Sequence, residues 1–253
     1  MFHNTLKEKL SQGKAAVGIF AVMNSPDVIE ILGLAGFDFA IIDCEHGPMG
    51  PESALTLIRA AERRGLTPIV RIPNTLESSV LHFLDIGAHG LQVPQVNSAK
   101  AAAALVRHAK YYPVGRRGVA FMRSSDYGMT APEQYFSQAN EETLIVVHCE
   151  NIEGLDNLEE ICKIPEIDVI FVGPYDMSQS LGLTGQVTHE RVEAAVQKAL
   201  EITKRHGKIC GTIAGDGDTA RMRIEQGFKY VAISLDSVLF AAKCRQEIEK
   251  CKG

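Results

Sequence analysis

The sequence predicts a (β/α)8 barrel, a closed parallel sheet of eight strands inside a ring of helices. Short apolar runs alternate with amphipathic runs from one end of the chain to the other, the pattern of strands joined by crossover helices. About eight such pairs fit into the 253 residues, the size of one barrel. No linker or composition break divides the chain, so 1–253 reads as a single domain. An open doubly wound sheet shares the alternation and differs by a reversal of strand order that sequence does not reveal.

The elements follow in order. Strand one is the apolar run 15–22. Ser25-Pro26-Asp27 opens a helix, because a Ser cap followed by Pro at the first helical position is a favoured entry, and Gly36 closes it. Strand two is 37–43. A helix over 52–64 ends at Gly65, and strand three is 68–72. The next helix runs from Leu76 to near Gly87, and strand four is 91–96. Ser98 caps an Ala-rich helix reaching Tyr111. An irregular stretch, 112–130, contains Gly115-Arg116-Arg117-Gly118, and a short helix over 131–140 leads into strand five, 144–148. The helix after it reaches Lys163, and strand six is 169–172. Residues 173–188 read as a loop with one helical turn. A helix over 190–206, strand seven at 209–214, a helix from Asp218 to Gly227, strand eight at 230–235 and a last helix from Ser237 complete the chain.

Composition narrows the function classes. The net charge of −5 and pI near 5.9 argue against a nucleic-acid binder, which carries a basic face. No apolar run approaches the length of a membrane span. The start, MFHNTLKEKLSQGK, has no apolar core of a secretory signal. Six scattered cysteines without a CxxC read as reduced thiols of a cytoplasmic protein.

In a barrel the active site lies where the strands end, so the informative residues are those that follow each apolar run. Strand two ends at Asp43, with Cys44, Glu45 and His46 behind it; strand three ends at Arg71; strand four near Gln95; strand five in His148-Cys149-Glu150. Strand six is followed by Gly173-Pro174-Tyr175-Asp176. Strand side chains alternate faces, so His148 and Glu150 point one way and Cys149 the other. Glu150 and Asp176, from adjacent strands, suit a hard divalent cation such as Mg2+ or Mn2+. His148 is a third ligand or a substrate contact.

Each residue also has a plainer role. Asp43 or Glu150 alone would serve as a helix cap, Arg71 as an ion-pair partner, and Cys44 and Cys149 as inert small side chains. His82, His89, His108 and His206 read as surface or helix-end residues, and the Gly115–Gly118 turn as a solvated loop. The clustering favours function: the strand starts show Lys208, Lys229 and Thr67 and little else. Gly215-Asp216-Gly217-Asp218-Thr219-Ala220 fits the dinucleotide fingerprint, but only one strand–helix unit follows it and its two Asp would repel a pyrophosphate. No strand carries a lysine in its middle or at its C-terminal end. A carbon–carbon lyase on this barrel would therefore use a metal rather than a Schiff base.

The segments around Asp43 and His46, Val70-Arg71-Ile72-Pro73, Leu84-Asp85-Ile86-Gly87, Tyr112–Gly118, Glu150–Gly154 and Phe171–Ser178 together resemble the HpcH/HpaI aldolase family, in order and over nearly the whole chain. The resemblance implies a metal-dependent (class II) pyruvate aldolase on a (β/α)8 barrel, cleaving a 4-hydroxy-2-oxo acid to pyruvate and an aldehyde. It implies a trimer or hexamer whose last helix swaps between subunits. By the same resemblance Glu150 and Asp176 hold Mg2+, Mn2+ or Co2+, with backbone around Gly173, Tyr175 and Asp176 binding the substrate carboxylate. Arg71 stabilises the enolate, His46 is the base with Asp43 orienting it, and Asp85 reaches His46 from a neighbouring subunit. His148 stands where the family commonly has a substrate-binding Gln. Rival readings are oxaloacetate decarboxylation, an acyl-CoA lyase drawing on Arg116, Arg117 and Arg123, and a non-catalytic 2-oxo-acid-binding barrel.

Overall fold

In the computed structural model, which describes residues 3–253, eight parallel strands close into a barrel in sequence order. They are β1 (Ala16–Ala21), β2 (Phe39–Asp43), β3 (Thr67–Arg71), β4 (Gly90–Val93), β5 (Leu144–Cys149), β6 (Val169–Val172), β7 (Ile209–Ala214) and β8 (Tyr230–Leu235). The helices are α1 (Thr5–Ser11), α2 (Pro26–Leu34), α3 (Pro51–Arg63), α4 (Glu77–Asp85), α5 (Ala99–Ala109), α6 (Pro132–Glu142), α7 (Ile152–Asp156), α8 (Leu158–Cys162), α9 (Pro174–Ser180), α10 (Glu190–Arg205), α11 (Gly217–Gln226) and α12 (Asp236–Lys252).

The two-residue period of the strands divides the core into two layers. Phe39, Ile41, Ile69, Leu144, Val146, Val169, Phe171, Tyr230 and Ala232 fill the barrel. Their neighbours Ala40, Ile42, Val70, Ile145, Val147, Ile170 and Val231 pack outward against the helices. The same parity carries Asp43, Arg71, Gln92 and His148 inward. Register then makes Asp43, Arg71 and Gln92 direct neighbours across β2, β3 and β4.

Several elements differ from the sequence expectation. The helix α1 was not anticipated. Asn4 caps it by accepting from the Lys7 N–H, and Leu6 and Leu10, one turn apart, enter the cluster inside the barrel. It closes the N-terminal end of the sheet. The helix after β5 is split into α7 and α8. The 173–188 segment holds the seven-residue α9, and a 3-10 stretch, Arg123–Gly128, lies in the irregular region. Strand β4 stops at Val93.

Arg117 is not in a solvated loop: it is buried against Asp85 on α4, donating from Nη2 at 2.6 Å, and its guanidinium lies over Tyr111. His89 is buried at the start of β4 beside Glu62. The N-terminal end of the barrel is also more polar than the strand starts suggest. Lys110 donates to the Asn140 and Thr143 carbonyls at 2.6 and 2.8 Å. Lys208 donates to those of Ile164, Pro165 and Ile167 at 2.7–2.8 Å. In the dinucleotide-like stretch, Asp216 caps α11 by accepting from the Thr219 N–H.

Candidate active site

At the C-terminal mouth, the fully buried Asp43 meets Arg71 in a two-point ion pair, Nε to Oδ1 at 2.9 Å and Nη2 to Oδ2 at 2.5 Å. The fork geometry matches the carboxylate, and cross-strand register sets the two side by side. Arg71 Nη1 lies 3.2 Å from Glu45 Oε2, and the guanidinium sits over the Phe20 ring at 4.8 Å. Asp43 Oδ1 also accepts from the backbone N–H of Glu45 and His46, at 3.0 and 3.2 Å. Asp43 therefore orients the turn that carries His46 through the backbone. Burial pushes the Asp43 carboxyl upward, but the Arg71 hydrogen bond and charge, with the two N–H groups, outweigh it and hold it below the usual range. Burial raises Glu45, and the charges of Arg71 and the nearby histidines only partly offset it.

On the facing strands, Glu150 is held at both oxygens. Oε1 accepts from the Gln95 N–H at 2.8 Å, and Oε2 lies 2.6 Å from His148 Nδ1. Gln95 presents that N–H from a left-handed backbone, φ 53°, which a non-glycine residue adopts at a cost. Burial works to raise the Glu150 carboxyl, but His148, the Gln95 N–H and the Arg71 charge win and lower it. The other ring nitrogen of His148 lies 2.9 Å from Gln92 Nε2, and the ring stacks on Phe171. Both nitrogens thus already have protein partners.

Asp176 stands in the first turn of α9, beside Glu150. A Cβ added to Gly173 would lie 3.2 Å from Glu150 Cβ, 3.6 Å from its Oε2 and 3.8 Å from Asp176 Oδ2. The missing side chain leaves a gap that both carboxylates border. Oxygen donors of this kind suit a hard cation, which usually fills the rest of its shell with water and substrate. Among the described residues no group of three His, Cys, Asp or Glu forms a ready-made metal cage. A cation here would have those two carboxylates as its only charged protein ligands.

Arg71, His148, Glu150, Gly173, Tyr175 and Asp176 line one cavity of about 110 Å3. A second, of about 290 Å3, shares Glu150 and Asp176 with it and adds Glu45, His46 and Gln95. His46 is exposed at this rim, as is Tyr175. Asp85 does not join them: within one chain it is paired with Arg117 and borders a different cavity, near the start of α3. Cys44 and Cys149 face the outer layer, and burial pushes both thiols up to about 12, so neither is a nucleophile at neutral pH.

A family model described as HpcH/HpaI aldolase/citrate lyase matches residues 16–242. The chain belongs to this family. Among its relatives, the hydroxypyruvate/pyruvate aldolase of Pseudomonas aeruginosa is 34% identical, over 99% of this chain and 93% of that one. The 5-keto-4-deoxy-D-glucarate aldolase of Salmonella paratyphi C is 33% identical, over 97% and 96%. The crystal structure of an HpcH/HpaI aldolase/citrate lyase family protein from Burkholderia cenocepacia superposes with a TM-score of 0.94 at 32% identity, covering 99% and 100%. The protein is thus an enzyme of the aldolase type, a carbon–carbon lyase. No helix among the described residues is long and apolar enough to cross a membrane.

Against this HpcH/HpaI framework, sequence reasoning passed over three mouth residues: Glu45 as a partner of Arg71, Gln92, and the backbone of Gln95. Gln92 had a readable signal, a lone amide at an inward position of a short apolar strand.

Proposed function

We propose that the protein reversibly cleaves a 4-hydroxy-2-oxo acid to pyruvate and an aldehyde, with Glu150 and Asp176 holding a divalent cation, Mg2+, Mn2+ or Co2+. The observation that carries this reading is one small cavity lined at once by a guanidinium, Arg71, and by two carboxylates that border the space over Gly173. When bound, the cation supplies Lewis acidity and an anchor for the 2-oxo-acid group.

The chain's own residues do the rest. Cleavage breaks the C3–C4 bond, whose electron pair passes to the 2-oxo oxygen as the enolate forms, and a proton returned to C3 then gives pyruvate. Arg71, already oriented by Asp43, places fixed positive charge where that negative charge develops. The N-terminal N–H groups of α9, around Tyr175 and Asp176, face the substrate carboxylate. His46 takes the 4-hydroxyl proton through a water, the general-base role that histidine most often fills. The aldehyde fragment then lies toward the wider cavity at His46.

A second subunit belongs to this reading. Val238, Leu239, Phe240 and Ile248 of α12 are exposed, and a trimer or hexamer with exchanged terminal helices would cover them. In such an assembly a neighbour's Asp85 would support His46. Phe240→Asp should then lower the sedimentation coefficient to that of a smaller species. The acyl-CoA alternative keeps only Arg116 of its three arginines, since Arg117 is committed to Asp85 and Arg123 to Glu62 and the Ile86 carbonyl.

The test is pyruvate release from 4-hydroxy-2-oxo acids by metal-loaded and chelator-treated protein, with the reverse reaction run against a panel of aldehydes. Release that stops on chelation and returns with Mg2+, Mn2+ or Co2+ is expected. A protein that binds pyruvate but releases none from any substrate is a binding barrel, and the proposal fails.

A further inference from the structure

A buried row of side chains crosses the barrel interior and ends on Glu150. The Tyr230 hydroxyl donates to Gln92 Oε1 at 2.9 Å. Gln92 Nε2 lies 2.9 Å from His148 Nε2, and His148 Nδ1 lies 2.6 Å from Glu150 Oε2. All four residues are within 6% of full burial, and Tyr230 and Gln92 are wholly buried. Tyr230 is itself fixed by stacking on Phe39, with ring centroids 4.1 Å apart.

Hydrogen-bond chemistry gives the row a direction. An amide NH2 only donates, so His148 Nε2 must accept and carry no hydrogen. The ring hydrogen is then on Nδ1, where it donates to Glu150. The opposite tautomer would set a bare Nδ1 against a carboxylate oxygen, two acceptors in contact, and would turn Glu150 away. With Oε2 held by His148 and Oε1 by Gln95, the carboxylate keeps one rotation, in which it borders the Gly173 gap together with Asp176. Second-layer partners of this kind set ligand orientation at metal sites.

We propose that Gln92 and Tyr230 are positioning residues, which hold His148 as the Nδ1–H donor and so aim the Glu150 carboxylate at its cation. The proposal rests on the reading that Glu150 binds the metal. It also makes His148 a support of Glu150 rather than a ligand or a substrate contact.

Two measurements on metal-stripped, full-length protein test it. In long-range 15N–1H correlation of histidine-labelled protein, the His148 ring, assigned by its loss in His148→Gln, should show hydrogen on Nδ1 and a bare Nε2. Hydrogen on Nε2, alone or with Nδ1, overturns the proposal. In calorimetric Mn2+ titration, Gln92→Leu should weaken binding by about 10- to 100-fold, the range for second-layer metal partners, and Tyr230→Phe by a few-fold. The double variant Gln92→Leu/Tyr230→Phe also removes the buried Tyr230 hydroxyl that Gln92→Leu alone leaves without an acceptor. It should recover that part of the thermal stability while its Mn2+ affinity stays low, which a purely structural role would not produce. Ile69→Val, which loosens the same interior layer, should bind Mn2+ as the unaltered protein does.

Glu150→Gln separates the two levels of the argument. If it loses Mn2+ while the Gln92 variants bind normally, this proposal alone fails. If it binds Mn2+ unchanged, the cation lies elsewhere, and the proposal falls with the reading beneath it. Should Gln92→Leu not fold, unweakened Mn2+ binding by Tyr230→Phe overturns the proposal.

Discussion

The two ends of this barrel use their ionisable side chains differently. At the N-terminal end, beside the side-chain pair of His89 with Glu62, two lysines take main-chain partners. Lys110 gathers carbonyls at the end of α6 and Lys208 those of the connection leading into β6, and Asn4 ties α1 to the His89 and Glu142 carbonyls. At the C-terminal mouth the partners are other side chains: Asp43 with Arg71, His148 with Glu150, Gln92 with His148. A cation that satisfies backbone carbonyls is completing the fold. At the mouth, Arg71, His148 and Glu150 are side chains in charge pairs that line one cavity, with backbone N–H groups completing Asp43 and Glu150. Buried charge by itself does not mark a site.

Four changes sharpen or break that contrast, in order of expected size. Glu150→Gln should lower kcat by at least about 10³-fold through loss of the cation, with thermal unfolding shifted little. Equal activity would remove the mouth from the chemistry. Arg71→Lys keeps the charge and loses the fork, so kcat should fall about 100-fold in steady-state kinetics, while KM moves less.

At the opposite end, Lys110→Met should leave kcat intact and cost about 1–3 kcal/mol of stability by urea titration. Its pH dependence has a definite sign. Burial pushes the Lys110 ammonium down to about 8 from its ordinary 10.5. Between those values the unfolded chain holds a proton that the folded one has released, so stability rises with pH across the window and the full penalty stands below it. Relative to Lys110→Met, the unaltered protein should gain on the order of 2 kcal/mol from pH 8 to 10.5. A parallel pair of curves would mean that Lys110 is not desolvated. The smallest effect is at the dinucleotide look-alike: Asp216→Ala removes the N-cap of α11, so thermal unfolding should move slightly downward while kcat stays unaltered.

The same contrast explains what could be read from sequence. The mouth was legible because a strand's two-residue period and an abrupt end to an apolar run place Asp43, Arg71, His148 and Glu150 without any knowledge of loops. Those residues are also close in sequence to strand ends. Lys110 and Arg117 were not legible. The partners of Lys110 lie about thirty residues away on the main chain, which has no side-chain identity to notice. Arg117 finds Asp85 across a connection that has no periodicity. The helix α1 carried a cap and two leucines one turn apart, but seven residues are too few for a pattern, and it is stable only because the barrel receives those leucines. Asp85 shows a different limit. A single chain places it against Arg117, and its proposed work at His46 belongs to a contact between chains.

The side chains that fill the barrel, with Leu6 and Leu10 at its base, give the mouth cavity a solid floor, so it is a pocket and not a channel. Traffic through a single entrance has to queue. If the pyruvate half sits deepest, beside Arg71, it enters before the aldehyde in synthesis and leaves after it in cleavage. Product-inhibition patterns should therefore be those of an ordered mechanism, with pyruvate as the last to depart.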